Sequence, residues 1–429
     1  MKLRYPVVAV AAGLLVAPYF TGKIVEQEFN SIYEQMSASM PYQIKVDNYQ
    51  RGWFSSTADV SVTIEQDIPD MVQPLTMTFV AKHDIQHGPI LTQSSIALGL
   101  ADIVNSFDFE HNMPENADII HDFSKDKIHY STQISFTGGM NSVMESEQIN
   151  VTTPDATIAI LPLQLQADLS RDGALVFDGN WLGMTVTAAD VEVLRLGKMD
   201  LVGDQQVVRG DIFANTAVMV GDTKVNLAKM NFIDEVTGQS VNISDIEIIS
   251  NSQDKEGMMY ADAKMTAKSI DAMGVKFSDF NYTASINKVD LDVYAELQKL
   301  LVSGSSTEDP ALFAMEVQAL IPKFFESSPE IKINNLGVKT EQGDIASKMD
   351  ITIDESKVDA SNPMSLIMAL DAKADGSAPI EFFEQLGMGE NIEALIMQNM
   401  LVQDQEKVKF DFSFNNGQAL INGMPMPLG

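Results

Sequence analysis

Cysteine is absent from this chain of 429 residues, and tryptophan occurs only twice. The absence of cysteine excludes disulfides, thiolate metal sites and a lipid attached to an N-terminal cysteine. It is compatible with an oxidising compartment but does not by itself indicate one.

Basic residues are also scarce. The chain has 28 Lys and Arg against 60 Asp and Glu, which gives a formal net charge of −32. Nucleic-acid binding needs a basic footprint, so we exclude a nucleic-acid partner. The same deficit argues against adhesion to an anionic bilayer through a basic surface. We interpret the charge as one that keeps a long exposed body soluble.

Motifs for catalysis and cofactor binding are missing as well. The sequence has no H-E-x-x-H, no G-x-G-x-x-G, no P-loop and no G-x-S-x-G. His83 and His87 are the closest histidine pair, but on a strand they would lie about 13 Å apart, too far to share one metal. Acidic pairs such as Asp290 and Asp292 are expected in so acidic a chain. We predict no catalytic residue, no metal and no cofactor, and a protein that is not an enzyme.

An uncharged run is present near the N-terminus. It extends from Tyr5 to Phe20 and follows Lys2 and Arg4. A basic start and an apolar middle are typical of a secretory signal or a signal anchor. As a helix the run would cover roughly 24 Å, slightly less than a hydrocarbon core of about 30 Å. The side chains expected inside the membrane are Tyr5, Val8, Leu14, Leu15, Val16 and Phe20.

Three interpretations of this run stay open: a signal anchor, a cleaved signal, and a buried helix of a soluble protein. We favour the anchor, because Pro18 follows Ala17, the only small residue near the exit, and disfavours cleavage. The positive-inside bias then leaves the N-terminus cytoplasmic and sends the rest across the membrane.

The hydrophobic period changes along the chain and predicts an α+β fold. We expect a long curved, mostly antiparallel meander sheet with a few packed helices, preceded by one N-terminal transmembrane helix. The predicted parts are a transmembrane signal anchor (1–22), a stalk helix (23–41), a strand-rich body (42–288) and a helix-containing C-terminal part of the same body (289–429) that ends in a β-hairpin.

Local signals place several elements within these parts. Helices are predicted over 290–302, 310–325 and 380–402, with Asp309 as an N-cap and a break near Gly387. Residues 101–126 are predicted as loop with one short helix, and 366–374 as strand. Asn416-Gly417 predicts the turn of the last hairpin.

Trp53 and Phe54 are the aromatic residues that we single out. They lie in a short segment between two predicted strands, a few dozen residues after the anchor. One interpretation is that they fill the core where the first hairpin packs on the stalk. The other is that they contact the membrane surface, where aromatic side chains are favoured.

The order of several short segments resembles the YdgA-like proteins, a bacterial family of unknown function anchored in the inner membrane. These segments are Phe20-Thr21-Gly22-Lys23, Tyr49 to Ser56, His87-Gly88-Pro89, Pro329-Glu330-Ile331, Lys339 to Gly343 and Leu420 to Met426. The resemblance implies a single-pass envelope protein whose bulk lies in the periplasm. It transfers no catalytic residue.

Two hypotheses for the function follow. In the first, helices cover one face of the sheet incompletely, and the open part is a Met- and Leu-lined groove that binds or carries lipid or another apolar ligand; the chain has 25 Met residues, which suit adaptable apolar surfaces. In the second, the protein is a periplasmic scaffold that binds envelope proteins or a second copy of itself. The alternation of a strand is the same in both cases, so the sequence does not separate them.

Overall fold

The computed structural model describes residues 4–40, 42–66, 75–108, 120–121, 127–234, 237–304, 310–358, 362 and 364–426. The chain divides into two compact units. Unit 1 comprises Met1–Val191 and Asp200–Met219, and unit 2 comprises Glu192–Met199 and Val220–Gly429. Each unit is built mainly from antiparallel strands.

A single helix, α1 (Arg4–Ser39), contains both the predicted anchor and the predicted stalk. Its C-terminal half is amphipathic, and Val25 and Phe29 are buried on one side because they recur at a four-residue step. Pro18 lies inside the helix. In the part of the chain that the structure describes, no helix combines the length and the hydropathy that a membrane crossing needs.

Antiparallel strands make up the rest of unit 1, and of the strands that follow in the chain up to residue 209, β15 (Val191–Leu196) lies almost entirely in unit 2. In chain order the strands up to residue 209 are β1 (Gln43–Arg51), β2 (Ser55–Gln66), β3 (Leu75–His87), β4 (Ile90–Leu91), β5 (Ala97–Leu98), β6 (Ala101–Asp108), β7 (Ile120–His121), β8 (Ile128–Ile134), β9 (Met140–Ser146), β10 (Ile149–Thr152), β11 (Ala156–Ile160), β12 (Leu163–Leu169), β13 (Ala174–Trp181), β14 (Met184–Ala188), β15 (Val191–Leu196) and β16 (Met199–Arg209). Successive neighbours are β1, β2, β3, β6, β8, β9, β12 and β13. Strands β4 and β5 form a separate small hairpin.

Unit 2 continues the antiparallel pattern with longer strands and most of the helices. Its later elements are β17 (Val218–Ile233), β18 (Ser240–Lys255), β19 (Met258–Ala272), β20 (Val275–Asp290), α2 (Leu291–Gly304), α3 (Pro310–Glu326), β21 (Glu330–Thr340), β22 (Gly343–Ile353), α4 (Met364–Ala369), β23 (Leu370–Pro379), α5 (Ile380–Gln385), α6 (Gly389–Met397), β24 (Val402–Asp404), β25 (Lys407–Asn415), β26 (Gln418–Ile421) and β27 (Met424–Met426). Strands β17 to β23 pair in sequence order, and β25, β26 and β27 follow.

Alternating side chains explain why these segments form a two-faced sheet. The register aligns an apolar row on one face: Val225, Ile248, Met265 and Tyr282. The neighbouring row on the other face is polar: Asn226, Glu247, Thr266 and Asn281. Because successive side chains of a strand point to opposite faces, each strand contributes to both rows.

Several local predictions are confirmed, and two are wrong. Helices α2 and α3, the interrupted pair α5 and α6, and the last hairpin lie where they were predicted. Asn416 and Gly417 have φ values of 50° and 74°, as a type I′ hairpin turn requires. The predicted N-cap, Asp309, lies outside the described residues.

The two corrections concern short segments. Residues 101–108 form strand β6 instead of loop, because the backbone of Ala101 to Asp108 pairs with β3. Of the remainder of that predicted loop, residues 109–119 and 122–126 lie outside the described residues. The strand predicted over 366–374 begins only at Leu370, and helix α4 precedes it. Pairing with β3 therefore decided the structure of residues 101–108, which the local pattern left ambiguous.

The main core of unit 1 lies between α1 and the first strands. Its buried residues are Val25, Phe29, Ile44, Ala58, Val60, Ala81, Ile85, Ala101 and Ile103. They come from α1, β1, β2, β3 and β6, so the helix covers one face of these strands. A smaller buried cluster in unit 2 joins Ala372, Phe414 and Ala419 of β23, β25 and β26.

Candidate functional site

Three of the short segments noted in the sequence meet where α1 lies against the end of β3. The Thr21 hydroxyl donates to the carbonyl oxygen of Gly88 (3.2 Å). A Cβ atom on Gly22 would lie 2.3 Å from Cε1 of His87. Only glycine allows the helix to approach the imidazole so closely.

The ring of His87 links the helix contact to the first hairpin. Its Nε2 lies 2.8 Å from the Ser56 hydroxyl oxygen, and its Nδ1 lies 3.3 Å from the Trp53 carbonyl oxygen. Because a carbonyl only accepts, Nδ1 carries the proton and Nε2 accepts from Ser56 in the neutral ring. Burial lowers the pKa of His87, with the Trp53 carbonyl opposing this shift. We call Thr21, Gly22, Ser56, His87 and Gly88 the helix latch.

A Ser–His hydrogen bond also occurs in nucleophilic catalysis, but two features of the helix latch differ from a catalytic site. Ser56 is 2% exposed and His87 is 3% exposed. A nucleophile must be reachable by its substrate, and the group that orients this imidazole is a carbonyl, which cannot compensate an imidazolium charge as a carboxylate does. The arrangement therefore suits a structural junction.

A second buried histidine, His83, lies four residues before His87 on β3. His83 Nε2 lies 3.2 Å from the Tyr33 hydroxyl of α1, and His83 Nδ1 contacts the side-chain oxygen of Asn105 on β6. The Asn105 amide in turn donates to the Tyr130 carbonyl (3.1 Å). Burial lowers the pKa of His83, opposed by the hydrogen bond to Asn105. Burial also raises the pKa of Tyr33.

His83 thus bonds α1 through a ring nitrogen, whereas His87 bonds the first hairpin through its ring nitrogens and packs against α1 at Gly22. The pair is evident in the sequence, but these partners are not. A signal was present: Ala81, His83 and Ile85 alternate and are all buried, so His83 shares the core face of β3. Among the residues that the structure describes, no three His, Asp or Glu side chains are grouped to hold a metal ion.

Trp53 and Phe54 lie in the turn between β1 and β2, and neither fills the core. Trp53 is 50% exposed and Phe54 is 53% exposed. The Trp53 indole N–H donates to the Leu15 carbonyl oxygen of α1 (2.7 Å), and its ring lies 5.1 Å from that of Tyr19. Trp53 therefore packs on the part of α1 that was predicted as the anchor and not on the stalk, and about half of each aromatic side chain stays exposed, so the interpretation that they fill the core is wrong.

The residues predicted to lie inside a membrane are all in α1. Leu15 (59% exposed), Val16 (45%) and Phe20 (59%) project away from the body. The structure does not describe the side chains of Tyr5, Val8 and Leu14. Their placement in a membrane stays a prediction.

One sheet face of unit 1 has apolar rows without a buried core. One face of β8, β9, β12 and β13 carries three mainly apolar rows: Ile128, Ser146, Leu163 and Trp181; Tyr130, Met144 and Leu165; and Ile134, Met140, Leu169 and Leu175. A mixed row on the same face contains Thr132, Ser142, Ala167 and Phe177. None of these side chains is fully buried; all are partly accessible. This face has the alternation of a core without the burial of one.

Unit 2 shows the same feature on a longer sheet. In the apolar row of β17 to β20, Ile248 is 39% exposed, and Leu336 of β21 is 40% exposed. Phe382 of α5 contacts Phe277 of β20, with their ring centroids 6.0 Å apart. A cleft of about 860 Å³ in this unit is lined mainly by polar side chains, so it is not the predicted Met- and Leu-lined groove.

The comparisons with known proteins identify the family. The chain belongs to the family described as "Bacterial protein of unknown function (DUF945)", which matches residues 5–429. No curated protein and no solved structure matches the chain.

Proposed function

We propose that this member of a bacterial family of unknown function is a non-enzymatic protein of the cell envelope. The N-terminal part of α1 holds it in the inner membrane as a single-pass anchor, and the bulk of the chain lies in the periplasm. Its sheets bind lipid or another apolar molecule on their open apolar faces.

The observation that carries the proposal is the apolar face of β8, β9, β12 and β13. Its rows contain Leu, Ile, Met and aromatic side chains, yet none of them is fully buried. Leaving apolar surface in water costs about 25 cal/mol per Å². Acyl chains can cover such a face because they need no hydrogen-bond partner and adapt to a row of side chains.

The attachment to the membrane rests on α1. The run from Tyr5 to Phe20 contains no charge, and the exposed side chains at its end are large and apolar. The resemblance to the YdgA-like proteins supports the inner membrane and the periplasm. The net charge of −32 argues that attachment is apolar rather than electrostatic.

Two adjacent residues of β9 provide a matched test. Met144 lies in an apolar row between Tyr130 and Leu165, and Val143 lies on the opposite face. Both are partly accessible, so neither Met144→Glu nor Val143→Glu empties a packed core. In unit 2, Met265→Glu and Thr266→Glu form a second such pair.

The measurement is native mass spectrometry with lipid extraction on the full chain. We expect lipid at defined stoichiometry, reduced by Met144→Glu and Met265→Glu and unchanged by the two control variants. If the lipid merely surrounds the anchor, all four variants should retain the same amount of it. A lipid-free chain, or equal lipid in every variant, would contradict the binding hypothesis. A dimer in the same spectra would then favour the scaffold.

A further inference from the structure

Several connections of unit 1 leave the sheet at the same end. Four pairs of residues mark this end, because each pair joins residues at or next to the ends of two neighbouring strands: Ser55 with Gln86, His87 with Ala101, Ala101 with Ile134, and Ile134 with Met140. The turn 52–54, the connection 88–100 and the turn 135–139 therefore all emerge there. The latch contact of Thr21 with Gly88 places α1 at this same end.

Exposed apolar side chains concentrate in these connections. Among the described side chains between residues 42 and 170, every large hydrophobic one that is exposed lies in them: Trp53, Phe54, Ile90, Ile96, Leu98 and Phe136. Ile96 is 89% exposed and Leu98 is 70% exposed. We call these six residues the apolar rim. The next turn carries Arg171 and Asp172, and the rim ends before it.

The rim is held rigidly at its start. The Gly52 N–H donates to the Ser55 carbonyl (2.8 Å), and the His87 N–H donates to the Phe54 carbonyl (2.8 Å). The Trp53 carbonyl accepts from His87 Nδ1, and the Trp53 indole N–H is already bonded to α1. The two aromatic side chains are therefore displayed by fixed backbone.

The rim is continuous with the apolar side of α1. The Trp53 ring contacts Tyr19, whose ring lies 5.6 Å from that of Phe20. The helix runs antiparallel to β3, since Tyr33 meets His83 while Thr21 meets Gly88. From the rim it continues N-terminally, through the uncharged run, to Arg4.

We infer that the apolar rim is a membrane-docking surface, which seats unit 1 on the lipid bilayer at the foot of its anchor. This inference rests on the proposed attachment through α1. Trp, Phe, Ile and Leu enter the interfacial layer, where an amphipathic Trp is favoured at the boundary. Arg51 borders the patch, with its guanidinium 5.2 Å from the Tyr19 ring centroid and paired with Glu26.

The apolar rim is continuous with the uncharged run of α1, and this continuity favours lipid over a protein partner as the surface that covers the rim. The three connections that carry the rim, residues 52–54, 88–100 and 135–139, contain no acidic residue although the chain carries 60. A surface that enters the bilayer interface must avoid carboxylates, because a buried charge is costly there. Insertion is apolar, so docking does not depend on anionic lipid or on low salt.

The absence of cysteine allows a clean test on the full chain. Phe136→Cys and Glu147→Cys place single thiols at opposite ends of β9, about 20 Å apart by the rise of the strand. Each variant is labelled with an environment-sensitive fluorophore and reconstituted into phosphatidylcholine vesicles that carry doxyl-labelled acyl chains. Trp53 is followed without a label in a Trp181→Phe variant.

We expect the fluorescence at position 136 and that of Trp53 to be lost in doxyl-containing vesicles and the fluorescence at 147 to persist. Quenching by aqueous iodide instead, in vesicles that carry the chain, would overturn the docking inference and leave the anchor standing. If both the label at position 136 and Trp53 were protected from doxyl groups and from iodide, a protein contact would replace the membrane-docking inference. A chain that fails to float with the vesicles would contradict the attachment through α1, and the docking inference with it.

Discussion

Two regions of unit 1 have the same alternation in their strands but different surroundings. Beneath α1, strands β1, β2, β3 and β6 bury a core that includes Val60 (0% exposed) and Ile85 (1%). In β8, β9, β12 and β13, Leu165 and Met144 occupy equivalent inward positions and stay partly accessible. The strands specify an apolar face in both regions, and the helix decides whether the face becomes a core.

The two regions differ in how α1 is held against the sheet. The covered region holds α1 through apolar contacts, the latch and the His83 contacts. The region beyond α1 buries its apolar side chains less completely. Single substitutions and a change of pH can remove or weaken the contacts that distinguish the two regions.

Truncation of one inward side chain in each region should give the largest contrast. Ile85→Ala opens a cavity in a closed core and should cost about 2–5 kcal/mol. Leu165→Ala removes a partly solvated side chain and should cost less than about 1.5 kcal/mol. Hydrogen exchange of the full chain, resolved to β3 and β12, measures both. Equal losses would mean that the face of β12 is covered in solution.

A methyl group added in the latch should have the next largest effect. Gly22→Ala places Cβ against the His87 ring and forces the helix or the ring to move, at about 1–3 kcal/mol. Amide protection should fall in α1 and at the end of β3. The control is Gly389→Ala in α6, where the nearest atom is Glu384 Cγ at 3.5 Å. That change should be neutral or slightly stabilising because alanine favours helix; a loss as large as that of Gly22→Ala would show that the effect is not steric.

Sequence patterns predicted much of the fold because its signals are local. Alternation predicted the strands, Pro310 the start of α3, and Asn416-Gly417 the last turn. The strand β6 was missed because its backbone partner, β3, is distant in sequence.

The candidate site was less predictable for the same reason. The segments around Thr21, Trp53 and His87 were noted individually, but the hydrogen bond from Thr21 to Gly88 joins residues 67 positions apart. Whether Trp53 is buried or open depends on how α1 crosses the hairpin, which no local pattern records. The open faces were undetermined too, since a strand alternates in the same way beneath a helix, a lipid or water.

Acid should weaken the covered region selectively. Burial lowers the pKa of His83 and of His87 in the folded chain, so below the ordinary value of about 6.5 the unfolded chain binds protons that the folded chain does not. The free energy of opening should therefore fall as the pH falls below about 6.5, by up to about 1.4 kcal/mol per pH unit for each histidine, and should be insensitive to these groups above it.

Exchange of α1 and β3 as a function of pH measures this dependence. In a His83→Gln, His87→Asn double variant the slope should disappear, even if overall protection is lower. The same slope in β12 and β13 would contradict its assignment to the histidines beneath α1. An unchanged slope in the double variant would assign the acid sensitivity to carboxylates instead.

The smallest effect is expected at the ion pair that borders the covered region. Arg51 Nε lies 3.2 Å from a Glu26 carboxylate oxygen, and both side chains are partly exposed. Such pairs contribute about 0.2–1 kcal/mol, and less at high salt. A double-mutant cycle of Arg51→Gln and Glu26→Gln, read from the exchange of α1, isolates the pair from the Tyr19 contact. If the coupling energy is small and screened by salt, α1 is held mainly by apolar burial and the latch. A large coupling that persists in salt would mean that water is excluded from Arg51, as it would be if lipid covered this edge of unit 1.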